Sequence, residues 1–279
     1  MSSGYLCIAQ NGEHDYLRMA YLQALSCKLT QKVINNFSVI VDSETAEQVT
    51  DTHRAVFDKV IVLNNNLAQN SKIKMQNECQ VFAYSPYKHT IKTESDMLFT
   101  TDLDWLWNTY HPFTYSFTQS VYTYDGYVIK NRSQRQLFDD NLLPNIYSAW
   151  TYFTYDIECK EIYDTMRIII DDWSYYRDNY LINCRYEEPR TDEVYALALK
   201  ILDKKTPDSG FGFVHMKPAL QHCFSKQPWQ EQLNWDIQPD FIPTIGHYKQ
   251  TRPLHYVEKS FCSDELLDRY SYEYDRRRY

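Results

Sequence analysis

Apolar and polar positions alternate in blocks along the first hundred residues. Tyr5–Ala9 is an apolar run of strand length, closed by the polar stretch Gln10-Asn11-Gly12-Glu13-His14. Asp15 then offers an N-cap to a helix whose Leu17, Ala20, Tyr21, Ala24, Leu25 and Leu29 recur at helical spacing. Phe37–Val41, ending at Asp42-Ser43, and Lys59–Leu63 read as a second and a third strand. The pattern predicts a helix over Ser71–Tyr84, stopped at Ser85-Pro86 because a residue before proline is pushed out of the helical region. His89–Thr93 is a fourth strand and runs directly into Glu94-Ser95-Asp96. Strand and helix blocks at this spacing predict a parallel α/β sheet wrapped by helices. In such sheets ligands bind outside the carboxyl ends of the strands, so the Gln10–His14 loop and the Glu94–Asp96 segment should face one crevice.

The second half is less regular. Leu142–Tyr155 carries strand-forming aromatic and β-branched residues, and Glu158–Asn179 predicts one helix with Ile162, Met166, Ile169, Ile170 and Trp173 on one face. Thr191–Leu202 predicts another, opened by Thr191 or Asp192 as its cap. No internal repeat or low-complexity linker divides the chain. The expectation is a single domain over residues 1–227, with an extension over 228–279 packing back on it.

Composition narrows the function classes. With 279 residues, of which 43% are hydrophobic, the chain can bury a substantial core. Its apolar runs, such as Tyr5–Ala9 and Val60–Leu63, fall far short of a membrane span, and Met1–Tyr5 lacks the pattern of a signal peptide. A cytoplasmic location without membrane partners is expected. Seven cysteines without any C-x-x-C spacing signal neither a disulfide framework nor a structural zinc site. A net charge of −8 argues against a generally basic nucleic-acid surface while leaving room for local patches such as Tyr274–Tyr279. There are six glycines and no G-x-G-x-x-G or G-x-x-x-x-G-K, so a glycine-rich phosphate loop is not the binding device. The 25 tyrosines are compatible both with a stacking surface and with ordinary filling.

The chemistry is concentrated in residues 89–107. A strand ends in two carboxylates, Glu94 and Asp96, followed by an apolar triplet and then Asp102-Leu103-Asp104. Oxygen ligands at a strand end can hold a hard divalent cation, and such an ion neutralises charge on a departing phosphate. A bare E-x-D is also a common polar strand end. Asp102 and Asp104 read as caps that start the following helix.

This segment resembles the D-x-D stretch of GT-A-fold glycosyltransferases, particularly the glycogenin and lipopolysaccharide galactosyltransferase-like family. The resemblance spans roughly residues 4–220, is most specific over 90–107, and departs from the family pattern by having Glu94 in place of an aspartate. It implies a GT-A fold, Rossmann-like, with a mostly parallel central sheet flanked by helices. It implies a nucleoside-diphosphate sugar as donor, of UDP type, and Mn²⁺ or Mg²⁺ held by Glu94, Asp96 and His215. Ile8, Ala9, Asn11 and Tyr16 match the base and ribose pocket, with Ser95 and Lys74 beside the donor. Gly212–Pro218 matches the late strand that supplies the histidine and a diphosphate lysine. Lys217 fills the lysine's role, with Lys226 in Lys226-Gln227-Pro228-Trp229 as a second candidate. Asp192, in Thr191-Asp192-Glu193, matches a helix opening that meets the donor sugar, and with Asp96 it is the catalytic candidate. The family lysine ahead of D-x-D falls on Glu78, one turn from Lys74.

The chain also resembles tailed-phage glycosyltransferases, which implies the host cytoplasm as location and hydroxylated or hydroxymethylated cytosine in DNA as a candidate acceptor, for example for arabinose. Lys130, Arg132 and Arg135, near the Tyr122–Tyr127 cluster, are then the acceptor-side cations. A glycan or protein acceptor, a non-catalytic sugar-nucleotide-binding protein, and a metal-dependent phosphate enzyme stay open, as does the oligomeric state.

Overall fold

The computed structural model describes residues 2–69, 71, 74–130, 132, 134–217, 236–237 and 242–278. From the N-terminus the chain runs through β1 (Ser3–Ala9), α1 (Tyr16–Thr30), β2 (Phe37–Val41), α2 (Ser43–Ala46), α3 (Asp51–Val56) and β3 (Lys59–Val62). A 3-10 segment, Lys74–Gln80, and α4 (Val81–Tyr84) lead to β4 (His89–Thr93), β5 (Met97–Leu98), α5 (Trp105–Tyr110), β6 (Tyr115–Thr118) and β7 (Ser120–Tyr122). Next come α6 (Gln136–Asp140), β8 (Tyr147–Thr154), α7 (Ile157–Asp171), α8 (Trp173–Tyr180), α9 (Thr191–Ile201) and β9 (Gly212–His215). The short strands β10 (Asp236–Ile237), β11 (Pro243–Ile245), β12 (Tyr248–Lys249) and β13 (Leu254–His255) precede α10 (Asp264–Arg278).

The main sheet has the order β3-β2-β1-β4-β8-β6. Its first four strands are parallel, and β8 and β6 add antiparallel at the far edge. Alternation along β1 sorts the two faces. Tyr5, Cys7 and Ala9 join the core under α1, while Leu6 joins the core under α7 and α9. β2 is buried at all five positions, as a strand covered on both faces should be. A second sheet, β5-β13-β9-β7, gathers strands from both halves of the chain. In it β9 runs so close to β7 that a side chain at Gly212 would meet the Ser120 carbonyl. The C-terminal helix packs on α1, where Arg18 pairs with Asp264 at 2.6 Å.

The fold class expected from the pattern is the one observed, and β2 and β4 have the expected bounds. Four local expectations are corrected. Ser71–Tyr84 is not one helix. Asn77 caps the Leu67 amide at 2.8 Å and its own amide donates to Asn66 at 2.7 Å, and its segment winds as a 3-10 helix before α4. Glu158–Asn179 breaks at Asp172, whose φ of −128° is not helical. Arg190, not Thr191 or Asp192, is the N-cap of α9, and it caps without a side-chain bond. Asp104 precedes α5 but does not cap it with its side chain. Its carboxylate instead accepts the backbone amides of Lys32, Val33 and Ile34 at 2.7–3.0 Å, and Asp102 accepts the Asp104 amide and pairs with Lys32. The boundary expected at 227/228, with Lys226 and Trp229, lies outside the described residues.

Candidate active site

Between β1 and β4 the strand order reverses, which opens a crevice beyond their carboxyl ends. Glu94-Ser95-Asp96 follows β4 directly into it. Three neighbours fix this turn. The Glu94 amide donates to the Ala149 carbonyl on β8 at 3.0 Å. Gln23 on α1 donates to the Thr93 hydroxyl at 3.0 Å and to the Glu94 carbonyl at 2.9 Å. The Tyr256 amide donates to the Asp96 carbonyl at 3.2 Å.

The register of β5 against β13 sets His255 opposite Met97, immediately beyond Asp96. That pairing delivers the imidazole to the carboxylates. His255 Nε2 lies 3.1 Å from Glu94 Oε2 and 3.2 Å from Asp96 Oδ1, and Lys259 ion-pairs with the second Asp96 oxygen. Ligand atoms of Glu94, Asp96 and His255 all lie within 4.8 Å of one another, the one such triplet of His, Cys or acidic residues among the described residues. Burial alone would raise the Asp96 carboxyl, but the charges of His255 and Lys259 outweigh it and hold Asp96 well below the usual carboxylate range. Burial alone would lower His255, yet Asp96 and Glu94 hold its proton up to about 10.

His215 closes β9, the strand beside β13, in register with His255. Its ring stacks on that of His255 with centroids 4.9 Å apart. Burial, followed by the charge of His255, pushes His215 down to about 3, so it is neutral at pH 7. The metal-type triplet thus closes on His255, with His215 as the ring behind it.

Two cavities meet at this turn, sharing Glu94 and Thr191. The smaller, about 410 Å³, is lined by Ile8, Tyr16, Lys74, Ser95 and Asp96 among the expected donor residues, and also by Lys92 and Lys259. Lys259 sits 5.3 Å from the centre of the Tyr16 ring. Ala9 is buried at the end of β1 and does not line it. Asn11 shapes the approach instead: its side chain donates to Asp15 and Gln48 and accepts the Leu17 amide at 2.8 Å. The larger cavity, about 500 Å³, holds Asp192, Glu193, Arg135, His215 and Lys217. Asp192 takes three donors and keeps part of its carboxylate open to the cavity. It accepts the Ser148 amide at 2.8 Å and hydroxyl at 2.6 Å, and it pairs with Arg135 at 2.7 Å. Arg135 in turn lies over the Tyr147 ring at 3.8 Å. Glu193 has no ion-pair partner among the described residues; burial, then Asp192, pushes its carboxyl up to about 7. Of the other expected acceptor cations, Lys130 lines neither cavity, and Arg132 turns to Asp139 and to Asn145 at 2.8 Å.

Sequence reasoning missed His255 and Lys259. The available signal was Pro253-Leu254-His255, a short run ending in histidine with a lysine four residues on. It is two strand residues long, too short to show a period. It also missed that Glu78 is the buried partner of Lys92, a lysine with no exposed surface.

No family model matches the chain, and no curated protein sequence matches it. Solved structures do. The galactosyltransferase LgtC, in complex with donor and acceptor sugar analogs, aligns with a TM-score of 0.53 at 11% identity over 97% of this chain and 95% of that one. Mouse xyloside xylosyltransferase 1 aligns with a TM-score of 0.48 at 12% identity over 91% of this chain and 97% of that one. The glycosyltransferase GlyE of Streptococcus pneumoniae TIGR4 gives 0.48 at 12% identity, over 96% of this chain and 60% of that one. The mixed α/β fold with a largely parallel central sheet is that of GT-A glycosyltransferases.

Proposed function

We propose that this chain transfers a sugar from a nucleoside-diphosphate sugar, of UDP type, to an acceptor hydroxyl, with Mn²⁺ or Mg²⁺ held by Glu94, Asp96 and His255. One observation carries this reading: two carboxylates and an imidazole converge where two cavities meet at the switch point of the sheet. The donor set fits the ion. Carboxylate oxygens suit Mg²⁺ and Mn²⁺, and the His255 nitrogen is acceptable to Mn²⁺ once the incoming ion displaces its proton. A bound divalent ion would neutralise charge building on the leaving diphosphate.

The chain's own residues do the rest. The donor occupies the smaller cavity, with Tyr16 against the base and Ile8 beneath it. Lys259, already at the Asp96 carboxylate, and Lys74, whose ammonium lies 3.3 Å from the Ala68 carbonyl, supply positive charge for the phosphates. Asp192 is locked by Ser148 and Arg135 and is positioned to bind sugar hydroxyls. The acceptor enters the larger cavity, where Arg135 and Lys217 lie. Excluding water from these two cavities strengthens each of these interactions. Release of UDP from UDP-glucose, UDP-galactose and UDP-xylose, followed with Mn²⁺ present, tests the reading. Turnover should stop with EDTA and fall at least about 100-fold in Asp96→Ala, the size of effect seen when one electrostatic stabiliser is lost. Turnover untouched by both treatments would sink it.

A further inference from the structure

The charges that face the larger cavity do not cancel. Four of them are committed to each other: Arg135 pairs with Asp192, and the protonated His255 with Glu94. That leaves Arg190 and Lys217 against Glu193. Neither cation forms an ion pair among the described residues. Burial, followed by the charge of Asp192, pushes the Glu193 carboxyl up to about 7, so near neutral pH it offsets only part of one cation. Fully ionised, it would still offset one of the two. A divalent ion taking the place of the His255 proton would add to this excess and not remove it. The neighbouring cavity, which shares Gln134 and Tyr186 with this one, is lined by Arg185 and Asp140, one charge of each sign. The excess is therefore confined to the larger cavity.

Arg190 is also prepared by its surroundings. Its guanidinium lies 3.5 Å from the centre of the Tyr186 ring, and Trp173 holds that residue by donating to its carbonyl at 3.1 Å. A guanidinium stacked on a ring keeps its edge N–H groups open, in the planar fork that matches phosphate oxygens. Lys217, two residues beyond the end of β9, adds a flexible point charge. A cleft lined by uncompensated charge of one sign focuses its field on a ligand of the other.

We infer that the acceptor carries a phosphate ester, and that this phosphate seats on Arg190 and Lys217 in the larger cavity. The inference rests on the transferase reading above and narrows its acceptor. One phosphate group brings about one to two negative charges, which is the size of the excess. Two sources share this chemistry: a phosphate monoester on a small acceptor, and a phosphodiester in a polynucleotide.

Calorimetric titration of the full chain, with Mn²⁺ and saturating UDP filling the donor cavity, tests this. The probes are glucose 6-phosphate against glucose, and a single-stranded oligonucleotide against its uncharged methylphosphonate counterpart. At least one phosphate-bearing probe should bind at least tenfold tighter than its counterpart, and which one does so identifies the source. Arg190→Gln and Lys217→Gln should each cut that preference at least threefold while keeping the UDP–Mn²⁺ thermal shift, which reports a folded donor site. Equal affinity for charged and uncharged probes, no binding of either, or a preference untouched in both variants overturns the inference. So does loss of the UDP–Mn²⁺ shift in Lys217→Gln alone, which would put that lysine on the donor diphosphate. Absence of the shift in the unmodified chain refutes the transferase reading itself. An intact shift without a phosphate preference refutes only the acceptor's charge.

Discussion

Lys92 sits in an environment unusual for a lysine. It has no exposed surface, its ammonium pairs with Glu78, and Tyr195 donates to the same Glu78 oxygen at 3.2 Å. Removing one partner leaves a buried charge uncompensated, so Lys92→Met should cost about 3–5 kcal/mol in urea unfolding. Adding Glu78→Leu should recover most of that loss; an equally unstable double variant would contradict the pairing account. Glu193 gives a second measurement at this scale. Folded, it keeps its proton up to about pH 7, against an ordinary value of 4.5. Between these values the folded state binds more protons than the unfolded one, so stability falls as pH rises through the window. Glu193→Gln should therefore have the higher Tm at pH 8, with the advantage gone at pH 4. Parallel Tm curves would refute it. Glu94 and Asp96 were legible because they stand between a strand-length segment and the apolar triplet Met97-Leu98-Phe99. His255 was not, since only its strand pairing with Met97 brings it to them.

At the scale of elements, β1, β2 and β3 were readable because each is a largely apolar run bounded by polar residues. β2 is the clearest case, buried at every position. The second sheet was not readable, because β5 and β13 have two residues each and β7 three. Nothing in so short a segment fixes a period, and pairing across the chain decides it. The same holds for α9. Its pattern gave its length, but the role of Asp192 comes from β8, through Ser148, and from Arg135 ahead of α6. Asp192→Ala should consequently loosen the start of α9 against β8. Hydrogen exchange should show faster exchange at the Ser148 amide and along the first turn of α9, with β2 unchanged. Protection equal to that of the parent chain would show that the contact does not hold the two elements together.

At the scale of the whole molecule, the site is assembled from both halves of the chain. Glu94 and Asp96 come with the parallel sheet, His255 and Lys259 with the last strand before α10. Among the described residues no helix is long and apolar enough to cross a membrane. The central claim is that Glu94, Asp96 and His255 hold a divalent ion for a nucleoside diphosphate. The most direct measurement is the thermal unfolding of the chain with Mn²⁺ and UDP, each alone and together. A ligand at 100 times its Kd adds about 2.7 kcal/mol, so the combination should raise Tm by several degrees, more than the two separate shifts added. His255→Ala and Asp96→Ala should abolish that excess, and His215→Ala should retain part of it. A shift for UDP that is the same with EDTA, or the same in Asp96→Ala, would contradict the account.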